Sequence, residues 1–164
     1  MLFLTGFPGF LGKEILPRLL ERNLNTKAIC LVQDRFMQQA KFALKELDER
    51  YPTIDITGKV ELVVGDITDP LLGLGDLYTA YAKKVTEVYH FAAVYDLDVK
   101  RDLAYKVNVD GTQHVLNFCA HCPKLKRHHY VSTCYVSGNY KGRFKETDLE
   151  KGQTFNNFYD ETKY

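Results

Sequence analysis

The 164-residue sequence predicts an α/β fold built around a doubly wound parallel sheet. Two observations support this prediction. Short apolar runs, typical of strands covered on both faces, recur along the chain, and a stretch with helical periodicity separates each run from the next. In addition, glycines spaced G-x-x-G-x-x-G stand between the first apolar run and the first helical stretch. We therefore expect one domain over residues 1–164, with right-handed crossovers between its strands.

Three strands and two helices are predicted in the first half of the chain. The strands are predicted at residues 2–5, 28–32 and 60–64, of which 28–32 is a continuous apolar run. The first helix, residues 10–22, contains Pro17, which predicts a kink or a tightly wound first half. Its apolar stripe is expected to face the core: Phe10, Leu11, Ile15, Leu16, Leu19 and Leu20. The second helix covers residues 38–51 and ends before Pro52.

Two further strands are predicted in the second half, at residues 85–91 and 127–132. A short helix over residues 78–83 precedes the first of them, and a long helix over residues 102–119 separates the two. The chain ends in the first turns of another helix. A doubly wound sheet of this type usually has about six strands. We therefore expect the fold to be incomplete at its C-terminus, with the substrate-binding portion outside this chain.

The glycine triplet predicts a turn that binds a pyrophosphate. Gly6 permits a tight turn, Gly9 lets the backbone approach the phosphates, and Gly12 allows close packing of helix and strand. The N-terminus of the following helix offers unpaired N–H groups and the positive end of its dipole to the anion. The whole turn is assigned to the cofactor site: Gly6, Phe7, Pro8, Gly9, Phe10, Leu11 and Gly12.

A second pattern joins Tyr159 and Lys163, which lie one turn apart on the same face of the last predicted helix. A phenol exchanges its proton slowly near neutral pH, and a nearby ammonium favours the phenolate. The same spacing is common on solvated helix faces. Here, however, the pair follows the fifth strand, whose carboxyl end belongs to the edge where open α/β sheets bind ligands.

Taken together, these motifs resemble the ordered motif set of the extended short-chain dehydrogenase/reductases. The set comprises Thr5-Gly6-x-x-Gly9-x-x-Gly12, Gly65-Asp66-Ile67, His90-Phe91-Ala92-Ala93, Asn108-Val109-Asp110-Gly111-Thr112, Val131-Ser132-Thr133 and Tyr159-x-x-x-Lys163. Within that superfamily, the stretches starting at Thr5 and Gly65 are most similar to the male-sterility type of NAD(P)-binding domain. That branch contains fatty acyl-CoA reductases and the thioester-reductase domains of carboxylic acid reductases and peptide synthetases.

The resemblance implies cofactor contacts along the chain. Asp66 and Ile67 would meet the adenine, and Ala92 and Ala93 would line the path of the adenosine and its ribose. Asn108 matches a position that shapes the site through structure rather than chemistry. We therefore add these residues to the cofactor site.

The resemblance also implies a Thr-Tyr-Lys catalytic site. Thr133 would hydrogen-bond the substrate carbonyl, Tyr159 would donate its proton, and Lys163 would hold the nicotinamide ribose. Ser132 is an alternative hydroxyl, although the register with Gly138 favours Thr133. The implied reaction is the reduction of a carbonyl or an acyl thioester by NAD(P)H. The alternatives are a nucleotide-sugar epimerase or dehydratase, a hydroxysteroid-type dehydrogenase, or a dinucleotide-binding sensor without enzyme activity.

The end of the second strand bears on the choice between NAD and NADP. An acidic residue there binds the ribose 2′-hydroxyl of NAD, whereas an arginine accommodates the 2′-phosphate of NADP. The sequence has Gln33-Asp34-Arg35, which supplies both types. The resembling branch usually has arginine where Gln33 stands. Because Arg35 lies within reach, we expect NADP.

Composition excludes several other classes. A net charge of +1 gives no bulk electrostatic case for nucleic acid, and no apolar run is long enough to span a membrane. The four cysteines are spread too thinly for a disulfide scaffold, so a reducing, cytoplasmic location is expected. Cys119 and Cys122 lack the second ligand pair of a zinc site. We also expect a homodimer for the full-length protein, and no turnover from residues 1–164 alone.

Overall fold

Five parallel strands form one sheet in the computed structural model, which describes residues 1–164. The strands are β1 (Leu2–Thr5), β2 (Ala28–Val32), β3 (Val60–Val64), β4 (Glu87–His90) and β5 (Arg127–Tyr130). Their order across the sheet is β3-β2-β1-β4-β5, and all four neighbouring pairs are parallel. The chain therefore winds outward in both directions from β1, and the predicted doubly wound sheet is confirmed.

Helices connect the strands. They are α1 (Phe10–Arg22), α2 (Met37–Arg50), α3 (Ile56–Lys59), α4 (Leu77–Ala82), α5 (Arg101–Ala104), α6 (Gly111–Ala120) and α7 (Phe158–Lys163). Residues Tyr105–Asp110 form a π-helical segment that joins α5 to α6 without a break. Short 3₁₀ helices cover Asp34–Phe36, Pro70–Gly73 and Cys134–Ser137. None of the helices combines the length and the apolar character needed to cross a bilayer.

The core has two layers, one on each face of the sheet. Along β1, Leu4 packs in the layer that contains α1 and α2, whereas Phe3 packs in the layer that contains α4 and α6. The Phe3 ring lies 4.6 Å from that of Phe118 on α6. Successive side chains of a strand point to opposite faces, so a strand buried on both faces must be apolar throughout. This explains the apolar sequences of β1 and β2, whose residues are all buried.

The structure differs from the sequence prediction at several element ends. The side chain of Phe10 is 77% exposed and that of Leu11 is 38% exposed, so the prediction that they face the core is wrong. These two residues form the first turn of α1, which starts at the carboxyl edge of the sheet, where no layer covers it. The predicted long helix contains the π-helical segment, and α3 was not predicted.

Candidate active site

The turn between β1 and α1 leaves no room for a Cβ atom at Gly6 and Gly9 and little room at Gly12. Gly6 has a φ of +85°, and a Cβ atom there would lie 2.7 Å from the backbone nitrogen of Ala92 at the end of β4. A Cβ at Gly9 would lie 2.7 Å from the carbonyl oxygen of Gly6, and one at Gly12 would lie 3.0 Å from the same oxygen. The turn is therefore folded tightly against the carboxyl edge of the sheet.

The N-terminus of α1 is open toward this turn. Gly9 is the N-cap residue, and no side chain caps the helix. The first N–H groups of a helix have no partner within the helix, and with the helix dipole they form a site for an anion. The 13-residue α1 therefore presents its N-terminal N–H groups beside Gly9.

A groove of about 950 Å³ runs along the carboxyl edge of the sheet. Several residues of the predicted cofactor site line it: Gly6, Phe7, Pro8, Gly9, Arg35, Asp66, Ile67, Ala92 and Ala93. The other residues assigned to that site lie outside the lining: Phe10, Leu11, Gly12, Asn108 and Lys163. The groove also has a wall that was not predicted, formed by Leu103, Lys106 and Val107.

At one end of the groove, Gln33 joins the ends of β2 and β3. Its amide nitrogen donates to Oδ2 of Asp66 at 2.5 Å, and its amide oxygen accepts from Nε of Arg35 at 2.8 Å. The guanidinium of Arg35 also lies over the ring of Phe36, with 4.7 Å between its Cζ and the ring centroid. Its terminal nitrogens form no hydrogen bond or salt bridge within the chain, so they are free to bind an anion.

Lys163 on α7 reaches the carboxyl end of β5. Its Nζ donates to the carbonyl oxygen of Val131 at 2.7 Å and lies 4.0 Å from the ring centroid of Tyr130. Burial lowers the pKa of this ammonium to about 8. The side chain is only 8% exposed, so α7 brings a buried cation to the same edge of the sheet as the glycine turn.

Tyr159 and Thr133 lie on the elements next to Lys163. Tyr159 is half-buried, one turn before Lys163 on α7. Thr133 follows Val131 and Ser132 and caps the 3₁₀ helix at Cys134–Ser137, where its hydroxyl accepts from the backbone nitrogen of Tyr135 at 3.3 Å. No hydrogen bond joins the side chains of Thr133, Tyr159 and Lys163 to one another, so they form no bonded triad in this structure.

The π-helical segment fixes the position of α7. The amide of Asn108 donates to Oγ1 of Thr162 at 2.9 Å, and the phenol of Tyr105 donates to Oε1 of Glu161 at 2.5 Å. Asn108 is 2% exposed and also binds both backbone groups of Val94, at 2.9 and 3.0 Å. It therefore lies behind the groove and connects the groove wall to α7. Tyr105 and Glu161 carry no motif that could have identified them from sequence.

His90 ties the central strands together at the same edge. Its Nδ1 lies 2.7 Å from the hydroxyl of Thr5, and its Nε2 lies 3.0 Å from that of Thr112. The Thr5 hydroxyl in turn accepts from the backbone nitrogen of Ala92 at 3.2 Å. Burial lowers the pKa of His90 to about 3, with smaller effects from Lys163 and His128. The imidazole is therefore neutral and links β1, β4 and α6.

Comparison with known proteins identifies the family. The model of an NAD-binding family described as male sterility protein matches residues 4–164. The chain belongs to this family. The predicted resemblance to the male-sterility branch of the extended short-chain dehydrogenase/reductases is thereby confirmed, and with it an NAD-binding domain.

Reductases are among the proteins that are similar to this chain in sequence or in structure. Fatty acyl-CoA reductase 1 of Arabidopsis thaliana is 29% identical over 93% of this chain, which spans 35% of that protein. The chloroplastic fatty acyl-CoA reductase 2 of the same plant is 30% identical over 91% of this chain, which spans 27% of it. The terminal R domain from the myxalamid PKS-NRPS pathway superposes with a TM-score of 0.79 and 28% identity, covering 99% of this chain and 42% of that domain.

The chain thus spans about a third of the length of these curated relatives. The expected cytoplasmic location stays a prediction, since one relative carries a chloroplast designation in its name. The expected homodimer and the absence of nucleic-acid binding also stay predictions.

Proposed function

We propose that this chain is the NADP(H)-binding part of a reductase that transfers a hydride to an acyl thioester or another carbonyl compound. The observation that carries the proposal is the position of Lys163. Its buried ammonium lies at the carboxyl edge of the sheet, the same edge along which the groove lined by the glycine turn runs. A bound nicotinamide cofactor would supply the hydride.

The groove fits a dinucleotide in two respects. Cβ atoms at Gly6 and Gly9 would lie 2.7 Å from backbone atoms, so glycine keeps the turn compact enough for a pyrophosphate to approach its backbone. The uncapped N-terminus of α1 beside it provides N–H donors for that anion. At the far end, Asp66 and Ile67 would contact the adenine, and Ala92 and Ala93 would line the path of the ribose.

Arg35 supports NADP over NAD. Its terminal guanidinium nitrogens are free of partners within the chain, and it lines the groove. A guanidinium binds phosphate through two parallel hydrogen bonds, so the 2′-phosphate that distinguishes NADP matches it. The adjacent Asp34 is exposed, and its side chain forms no hydrogen bond or salt bridge with Arg35.

The catalytic roles follow from the chemistry of the side chains around α7. Lys163 would bind the nicotinamide ribose and stabilise negative charge on the phenol of Tyr159. Tyr159 would donate its proton to the substrate oxygen as the hydride arrives, and the hydroxyl of Thr133 would hold that oxygen. With a pKa of about 8, Lys163 is mainly protonated at neutral pH and carries the positive charge that this role needs.

The substrate class is supported by the relatives. Fatty acyl-CoA reductases and a terminal R domain of a PKS-NRPS pathway both match over most of this chain. We therefore favour an acyl thioester, carried by coenzyme A or by a carrier domain, over a sugar nucleotide or a steroid.

The test is an assay of the full-length protein with NADPH against acyl-CoA thioesters, aldehydes and sugar nucleotides, monitored by the absorbance of the reduced nicotinamide. We expect NADPH consumption with thioesters or aldehydes. Replacing Tyr159 by Phe should lower kcat by about 100-fold or more. Tyr164→Phe is the matched control, because Tyr164 is an exposed tyrosine on the next turn of the chain. Equal activities of the two variants, or turnover of sugar nucleotides alone, would refute the proposal.

A further inference from the structure

We propose that Gln33 is a specificity-determining residue, which fixes the direction of Arg35 and thereby strengthens the preference for NADPH over NADH. This inference rests on the proposed NADP(H) preference of the groove. Gln33 lies at the end of β2, lines the groove, and is the only residue whose side chain is hydrogen-bonded to that of Arg35.

The chemistry of its two partners determines how the Gln33 amide is oriented. Arg35 can only donate hydrogen bonds, and the carboxylate of Asp66 can only accept them. The amide oxygen must therefore face Nε of Arg35, at 2.8 Å, and the amide nitrogen must face Oδ2 of Asp66, at 2.5 Å. In the opposite orientation, the amide nitrogen would face Nε of Arg35, which is also a donor, and the amide oxygen would face Oδ2 of Asp66, which is also an acceptor. Only one orientation of the amide is therefore stable.

Asp66 is itself a rigid support for this arrangement. Its Oδ1 accepts from the backbone nitrogen of Thr68 at 2.8 Å, and its own backbone nitrogen donates to the carbonyl oxygen of Leu72 at 3.0 Å. A chain of contacts thus runs from the turn after β3, through Asp66 and Gln33, to the guanidinium of Arg35. Apart from the ring of Phe36, no other side chain restrains that guanidinium.

The amide also keeps the positive charge of Arg35 available. It lies between the guanidinium and the carboxylate of Asp66, and these two groups form no salt bridge. Only Nε of Arg35 is used by Gln33, so both terminal nitrogens remain for an anion. A guanidinium that is already oriented loses less conformational freedom when it binds a phosphate. Gln33 therefore contributes to the affinity for a 2′-phosphate without touching it.

The experiment measures dissociation constants of NADPH and NADH for the full-length protein by fluorescence titration, in wild type, Gln33→Ala, Arg35→Ala and the double variant. The readout is the ratio of the NADH constant to the NADPH constant. We expect Gln33→Ala to lower this ratio by about two- to tenfold, the range that corresponds to the ordering of one long side chain. In the Arg35→Ala background, the same substitution should leave the ratio unchanged.

Two further variants sharpen the test. Gln38→Ala is the matched control, since Gln38 is an exposed glutamine on the neighbouring helix α2 and does not line the groove. Gln33→Glu keeps an acceptor for Arg35 but adds a negative charge, so it should lower the ratio further than Gln33→Ala.

The outcomes separate the inference from the function on which it rests. If the wild type does not prefer NADPH, or if Arg35→Ala leaves the ratio unchanged, the NADP(H) assignment is wrong and the inference falls with it. If the preference depends on Arg35 but Gln33→Ala behaves like Gln38→Ala, the assignment stands and the role of Gln33 is wrong. The role of Gln33 would also be wrong if Gln33→Ala lowered the ratio of the NADH constant to the NADPH constant equally in the wild type and in the Arg35→Ala background.

Discussion

Replacing Asn108 by Ala tests whether a buried amide holds the groove wall and α7 together. The substitution removes three hydrogen bonds, two to the backbone of Val94 and one to Thr162, and leaves the Val94 groups without these partners. At about 1 kcal/mol for each bond, we expect the free energy of unfolding to fall by about 3 kcal/mol. Asn108→Asp should lose at least as much, because a carboxylate keeps the bond from the nitrogen of Val94 but would face the carbonyl oxygen of Val94 and bury an unpaired charge.

The measurement is urea unfolding followed by far-UV circular dichroism. Asn117→Ala serves as the control, because Asn117 lies on the adjoining helix α6, is exposed, and has a side-chain bond only to Gln113. Its substitution should cost less than about 1 kcal/mol. If Asn108→Ala were no more destabilising than this control, the three bonds would not hold the two parts of the site together. In the full-length protein, Asn108→Ala should also lower kcat, because Thr162 lies beside Lys163 on α7.

Three further predictions concern single residues. Burial in the folded chain lowers the pKa of Lys163 from 10.5 to about 8, so protonation of this side chain opposes folding below pH 8. The free energy of unfolding of the wild type should therefore rise relative to that of Lys163→Met between pH 8 and 10.5. If urea unfolding gave the same difference in free energy at every pH, the burial of this charge would be contradicted. Gly6 and Gly75 both have positive φ, but only a Cβ atom at Gly6 would meet backbone atoms. Gly75→Ala is therefore expected to cost about 1 kcal/mol, and Gly6→Ala should destabilise the protein far more. Similar melting temperatures of the two variants would argue against this. Finally, the exposed Cys134 should react rapidly with a thiol reagent. The buried Cys30 should react only on unfolding, because burial shields its thiol and raises its pKa. The rapid phase of the reaction should be absent from Cys134→Ser.

The central part of the fold could be predicted from the sequence because its signals are local. The apolar runs of β1 to β3 and the glycine turn each need only neighbouring residues, and the structure reproduces these three strands to the residue. The first turn of α1 could not be predicted in the same way. Phe10 fits the helical period of the core, but its exposure depends on where the sheet ends.

The contacts of the candidate site show the same division. The motif positions at Gly6, Asp66 and Ala92 do line one groove, because the topology brings the carboxyl ends of the strands to one edge. The sequence places Gln33 at the end of the second strand but does not predict its bond to Asp66, which lies far away in the chain. Likewise, the bond of Tyr105 to Glu161 joins two residues whose spacing follows no periodic pattern. Such pairwise bonds leave no pattern in a single sequence, whereas the shared edge of the sheet follows from the strand order.

The π-helical segment at Tyr105–Asp110 contributes side chains both to the groove and to contacts with α7. Lys106 and Val107 border the groove, while Tyr105 and Asn108 bind α7, the helix that carries Tyr159 and Lys163. A one-residue insertion or deletion there would shift both sets of side chains at once. Protein engineers who wish to move this site to another scaffold would therefore need to move the segment together with α7, because the distance between the groove wall and α7 depends on it.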